Sequence, residues 1–130
     1  MVIDDDMRNI YAIKSVLESR KINVIYADNG KNGVKALKDN PDTDLILMDT
    51  MMPEMDGVEA TKTIRKISRF KSLPIVFLTA KAMKGDREKC LQAGASEYVT
   101  KPVDPEKLLG VLYAWLPKLQ PIAQAVGGEI

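Results

Sequence analysis

The sequence contains no histidine and a single cysteine, Cys90, in 130 residues. Without imidazole the chain has no His-based catalytic dyad, no His-rich metal site and no phosphohistidine of its own, so its chemistry rests on other groups. One thiol allows neither an internal disulfide nor a CxxC pair, which fits a reducing compartment and excludes the usual structural zinc sites. Cys90 itself reads as a small buried apolar residue. Aromatic residues are scarce at 5%, and no basic stripe interleaves with them. An excess of one charge is also lacking: Lys+Arg number 19 and Asp+Glu 18. Both facts disfavour direct contact with nucleic acid. The apolar runs fall far short of the ~20 residues a membrane span needs, and no basic segment followed by an apolar one opens the chain. The expectation is a chain that makes no membrane contact and is neither secreted nor inserted by signals of its own.

What is present is an ordinary globular mixture, 45% hydrophobic and 28% charged, long enough for one domain that buries about two-thirds of its unfolded surface. Short apolar runs at 1–3, 23–27, 45–48, 75–78 and 98–99 alternate with amphipathic stretches at 7–19, 31–38, 58–67, 84–93 and 105–116. That alternation predicts five strands and five helices in βα units around a parallel sheet. Local punctuation agrees. Asp6 is placed to cap the first helix, Gly94 to end the fourth, and Asp104 to cap the fifth with Pro105 in its first turn. Residues 120–130, with Pro121, Gly127 and Gly128, read as a C-terminal extension or linker remnant after a domain spanning 1–119.

In an open doubly wound sheet, ligands bind beyond the carboxyl ends of the strands. Asp4, Asp5 and Asp6 follow the first apolar run, and Asp49 follows Leu45-Ile46-Leu47-Met48. If the first and third strands are neighbours, at least three carboxylates converge there. Such a cluster calls for a hard cation, Mg²⁺ being the natural one for an all-oxygen site. The plainer alternative for Asp4 and Asp5 is that they complement the dipole of the first helix. Two further strand ends add Thr79 and Lys101. A hydroxyl and an ammonium facing carboxylates and a metal describe a site for a phosphoryl group. Taken singly, Thr79 is a strand-end capper and Lys101 a solvated lysine; their coincidence at strand termini carries the argument.

These residues sit in five spaced motifs: Asp4-Asp5; Met48-Asp49 followed by Met52-Pro53-Glu54-Met55-Asp56-Gly57; Leu78-Thr79-Ala80; Ala93-Gly94-Ala95; and Lys101-Pro102. Over residues 1–119 the chain resembles the receiver domain of two-component response regulators. The stretches 4–10 and 79–86 are most similar to receivers of hybrid sensor histidine kinases. The resemblance implies a flavodoxin-like (βα)5 fold, a doubly wound five-stranded parallel sheet of order 2-1-3-4-5 in a single domain. It implies that Asp49 takes a phosphoryl group from a partner phosphohistidine, with Mg²⁺ held directly by Asp5 and Asp49, through water by Asp4, and by the backbone carbonyl of Met51. Lys101 would pair with a phosphoryl oxygen, and Thr79 would swing to another, linked to the switch aromatic Tyr98. The surface of the fourth helix, fifth strand and fifth helix would change in response.

The same resemblance implies a cis Lys101-Pro102 bond and a loop shaped by Pro53 and Gly57, the glycine supplying backbone geometry other residues avoid. Met51 and Lys81 would flank the path of the hydrolytic water. The partner is a histidine kinase or histidine phosphotransfer domain, docking on the first helix with Met7, Ile10 and Tyr11 as candidates. The last helix carries more apolar residues than one buried face needs. Either Leu108, Leu112 and Trp115 form its core stripe and the rest is scattered surface, or the face it shares with the fourth helix and fifth strand forms a homodimer or intramolecular interface. A receiver is a signalling switch that catalyses its own phosphorylation and dephosphorylation, and the implied location is cytoplasmic, including as part of a membrane-attached kinase. The first strand, beginning three residues before Asp4, is expected to be short. Two rival readings are weaker. A receiver-like module acting without phosphorylation does not explain why Asp4, Asp5, Asp49, Thr79 and Lys101 are all present, and an FMN carrier does not fit a first strand leading into aspartates.

Overall fold

A strand can be apolar on both sides of the chain only where both faces of its sheet are covered. In the computed structural model, which describes residues 1–52, 54–80 and 86–116, the third and fourth apolar runs meet that condition: β3 (Ile46–Asp49) and β4 (Ile75–Thr79) are buried at every position. With β1 (Val2–Ile3), β2 (Tyr26–Ala27) and β5 (Glu97–Thr100) they form one parallel sheet of order β2-β1-β3-β4-β5. The helices are α1 (Met7–Ser19), α2 (Gly30–Asp39), α3 (Gly57–Arg65), α4 (Asp86–Gln92) and α5 (Pro105–Trp115). This is the flavodoxin-like architecture that the family resemblance implies.

Period-two alternation divides the strand side chains between two cores. Ile3, Ile46, Met48, Ile75 and Phe77 pack with Val34 and Leu37 of α2 and Ala60 and Ile64 of α3. Val2, Leu47, Val76, Leu78 and Val99 pack on the other face with Ile10, Ile13 and Leu17 of α1 and Leu108, Leu109 and Leu112 of α5. β1 is short, as expected, yet it is hydrogen-bonded on both sides. Leu47 N donates to Met1 O at 2.8 Å, Val2 N to Ile25 O at 2.9 Å, and Asp4 N to Ala27 O at 3.2 Å.

Several boundaries differ from the sequence expectation. The second strand pairs only at Tyr26–Ala27, because a ladder is no longer than its shorter partner. The third helix stops at Arg65, and the chain makes a 3₁₀ turn, Ser68–Phe70, that buries Phe70. In α5, Trp115 is 38% exposed and does not belong to the core stripe. The buried line runs through Leu108 and Leu112 with Leu109 beside it, and the partly buried Leu116 continues it at the helix C-cap. That line drifts around a 3.6-residue helix and leaves Trp115 on the outside. Leu91 on α4 is also exposed. The fourth helix is described over Asp86–Gln92, while 81–85 and the tail at 120–130 lie outside the described residues.

The helix caps follow the sequence. Asp6 and Asp104 cap α1 and α5, accepting from Arg8 N and Glu106 N. Gly94 closes α4 at φ +109°, a conformation that favours glycine, with Gly94 N donating to Leu91 O and Ala95 N to Cys90 O, both at 3.0 Å. One interaction had no sequence signature. The Arg65 guanidinium donates to Gly94 O from Nε (2.9 Å) and Nη2 (2.7 Å), and from Nη1 to Phe70 O (2.8 Å) and Leu73 O (2.7 Å). It ties the end of α3 to the end of α4, and burial lowers its pKa.

One turn earlier on the same helix face, Thr61 is fully buried and its Oγ1 has no hydrogen-bond partner among the described residues. A buried hydroxyl without a partner costs free energy that an isosteric methyl does not. Thr61→Val is therefore expected to raise the urea midpoint by an amount equivalent to on the order of 1 kcal/mol. A lower midpoint would show that the hydroxyl is satisfied in solution.

Candidate functional site

The pairing of β1 with β3, Ile3 opposite Met48, makes their exits adjacent. It thereby brings together residues 45 positions apart. Carboxylate oxygens of Asp4, Asp5 and Asp49 all lie within 4.8 Å of one another. Asp4 is fully buried, Asp49 is 3% exposed and Asp5 is exposed. Asp6 turns away to cap α1 and pair with the exposed Arg8, whose hydrogen bonds hold its carboxyl below the usual range. Asp6 thus serves as the helix cap expected of it, while Asp4 and Asp5 lie in the cluster with Asp49.

Lys101 reaches the cluster from the end of β5. Its Nζ lies 3.1 Å from Asp49 Oδ1 and 3.4 Å from Asp4 Oδ2. The main chain supports it: Lys101 N donates to Thr79 O at 2.7 Å, and the Lys101-Pro102 bond is cis. Asp49 Oδ1 also accepts from Met51 N at 3.2 Å. Asp4 accepts from Asp6 N on Oδ1 (2.9 Å) and from Asn9 Nδ2 on Oδ2 (3.5 Å). Thr79 is 4% exposed and ends β4, directly beside β3.

Two of the three carboxylates, Asp4 and Asp49, share one ammonium, and the electrostatics follow. Burial, and then the charge of Asp4, push the Asp49 carboxyl up to about 6 against the opposing pull of Lys101. Burial works to lower the Lys101 pKa, but its bond to Asp49 and the charges of Asp4 and Asp49 outweigh that and hold it above its ordinary value. The donor set is all oxygen and carries more negative charge than Lys101 neutralises, which fits a hard divalent cation such as Mg²⁺.

Gly57 matters to the site for a reason other than the expected one. It does not adopt a left-handed conformation; the left-handed residue of that loop is Glu54, at φ 65°. A Cβ on Gly57 would instead meet Asp49 O at 2.4 Å and Thr50 Cα at 2.9 Å. The start of α3 abuts the end of β3, and only glycine leaves the room. Tyr98 lies partly buried against the Ile3 and Phe77 core, outside the carboxylate cluster. Met51 presents its backbone to Asp49 while its side chain is 67% exposed. Among the docking candidates Tyr11 is exposed and Met7 partly buried, but Ile10 is fully buried with Ile13 and Leu17, so it belongs to the core and offers no docking surface. Pro53 and Lys81 lie outside the described residues. Sequence reasoning passed over Asn9, although a polar residue in line with Ile13 and Val16 on an apolar helix face was a signal.

Fold and site together define a doubly wound α/β domain whose acidic strand ends gather with a lysine at the carboxyl edge of a parallel sheet, where Thr79 ends the neighbouring strand. The response regulator receiver domain family matches residues 1–113. The signal transduction histidine-protein kinase BarA of Escherichia coli is 38% identical over 117 residues, 90% of this chain but 13% of BarA. Protein PilH of Pseudomonas aeruginosa is 34% identical over 89% of this chain and 95% of its own length. Among solved structures, the receiver domain of a sensor histidine kinase from Pseudomonas aeruginosa, with magnesium coordinated in its active-site cleft, superposes with TM-score 0.81 at 35% identity, covering 89% of this chain and 94% of that one. Chemotaxis protein CheY4 of Vibrio cholerae gives 0.83 at 28% identity over 88% and 95%. The chain belongs to the response regulator receiver domain family of two-component signalling, whose general function is phosphoryl transfer to an aspartate. Mg²⁺ binding is typical of that family. Among the described residues, no helix is long and apolar enough to cross a membrane.

The raised pKa of Asp49 makes stability depend on pH. A carboxyl that titrates at 3.8 unfolded and about 6 folded favours the neutral folded form. Its contribution is complete below the unfolded value and is lost as pH rises through the folded one. In metal-free buffer Asp49→Asn should exceed the wild type in stability by on the order of 2 kcal/mol at about pH 8, with the gap shrinking at about pH 5. Mg²⁺ should restore the wild type more than the variant. Parallel urea titrations with no pH dependence in the difference would contradict this electrostatic account.

Proposed function

We propose that Asp49 is the phosphoacceptor of this receiver and that the donor is a phosphohistidine on a histidine kinase or histidine phosphotransfer partner. The observation that carries this is the placement of Asp49, a nearly buried carboxylate whose Oδ1 is held by an ammonium and a backbone amide. In the transfer a carboxylate oxygen attacks phosphorus in line, the P–N bond to the partner imidazole breaks, and the imidazole leaves with the electron pair, giving an acyl phosphate. Asp5 and Asp49 would hold Mg²⁺ directly, Asp4 through water, with the Met51 carbonyl completing the protein ligands, and the ion would supply charge neutralisation for the phosphoryl oxygens. Lys101 then pairs with one phosphoryl oxygen and Thr79 hydrogen-bonds another. Tyr98 follows Thr79 and alters the face of α4, β5 and α5 that downstream partners read. The chain spans 13% of BarA, so any activity of a longer protein would be supplied by segments other than this one.

Incubation with Mg²⁺ and acetyl phosphate should add one phosphoryl group by intact mass, and Asp49→Asn should add none. A wild type that stays unmodified with both the small donor and a phosphorylated histidine kinase would overturn the assignment. The exposed Met51 side chain stands beside the acyl phosphate and hinders the hydrolytic water. Met51→Asn is accordingly expected to shorten the lifetime of the phosphorylated form several-fold in a decay assay. An unchanged lifetime would remove that role from Met51.

A further inference from the structure

Asp4 is the most deeply buried charge in the site, and three donors serve it: Asp6 N on Oδ1, with Lys101 Nζ and Asn9 Nδ2 both on Oδ2. The two donors on Oδ2 differ in what they are free to do. Lys101 is shared with Asp49 and is closer to it, at 3.1 Å against 3.4 Å. Asn9 is a neutral side chain fixed on the first full turn of α1, and its contact, at 3.5 Å, is at the outer limit of a hydrogen bond. A phosphoryl group on Asp49 adds acceptor oxygens where Lys101 now binds, and the ammonium moves to them. Asp4 Oδ2 then loses its charged donor while remaining buried, and on the protein side is left with the long Asn9 contact; a poorly served buried acceptor opposes the change.

We propose that Asn9 is a standby donor, a positioning residue that closes on Asp4 Oδ2 as Lys101 departs and so lowers the free energy of the phosphorylated state relative to the resting one. The inference rests on the reading of Asp49 as phosphoacceptor. It gives the long amide contact a purpose: in the resting state Lys101 does most of the work on that oxygen, and the 3.5 Å separation leaves room to shorten. It also separates two quantities that a general loosening of the site would move together. Asn9 contributes little to holding Mg²⁺ at the resting site, where Lys101 still serves Asp4, and much to holding the phosphoryl group.

The test measures two affinities by calorimetry on the same proteins: Mg²⁺ alone, and beryllofluoride, a non-covalent mimic of the phosphoryl group, at saturating Mg²⁺. Asn9→Leu keeps the bulk and removes the donor, while Asn9→Gln keeps an amide. The expectation for Asn9→Leu is a loss of about tenfold or more in beryllofluoride affinity with Mg²⁺ affinity changed by less than about threefold, and partial recovery in Asn9→Gln. Unchanged beryllofluoride binding in Asn9→Leu would overturn the proposal, as would an equal fall in both affinities. Failure of the wild type to bind the mimic, or binding that survives Asp49→Asn, would instead strike the phosphoacceptor reading and the proposal with it.

Discussion

The arrangement depends on one shared cation. Lys101 lies between Asp4 and Asp49, two carboxylates that the pairing of β1 with β3 forces together in a nearly dry place. Without it, like charges would oppose the packing of the two central strands; with it, the repulsion is reduced but not cancelled, and the carboxyl of Asp49 stays well above its ordinary titration range. The residual imbalance is of the kind that a hard divalent cation relieves.

The supporting structure holds these groups with short-range devices. Lys101 is fixed by a main-chain bond to the carbonyl of Thr79, so the ammonium and the hydroxyl expected to grip one phosphoryl group belong to adjacent strands joined at that level. Asp49 is fixed from behind by α3, whose first residue is so close to the end of β3 that any side chain at Gly57 would collide with the main chain. Asp4 is fixed by the amide of Asp6, itself committed as the cap of α1. The acidic segment Asp4-Asp5-Asp6 thus places three identical side chains differently, Asp4 buried and bonded, Asp5 exposed at the cluster and Asp6 capping the helix, with burial and local hydrogen bonding making the distinction.

Much of this was legible in the sequence because it followed from periodicity and punctuation. The uninterrupted apolar runs at β3 and β4 signalled a sheet covered on both faces, and strand-end residues marked the site. What was not legible depended on tertiary distance. Trp115 satisfied the helical period but lies where the stripe has already turned away. Ile10 sits near the site in sequence and in the core in space. Gly57 invited a backbone-conformation argument, whereas the constraint is a steric one from a different element. Arg65 has no local partner, since its acceptors are carbonyls supplied by other segments up to 29 residues away. Asn9 was legible only as an anomaly, a polar residue on an apolar face.

The two-sided burial of β3 and β4 has a further consequence. Every interior position of these strands is committed to one core or the other, so a polar side chain finds a place only where the strand stops. Chemistry is thereby confined to a rim, and the interior is free to vary in size and shape so long as it stays apolar. A receiver can therefore change its packing without moving its reactive groups, because those groups are anchored by the ends of strands whose centres take no part in the reaction.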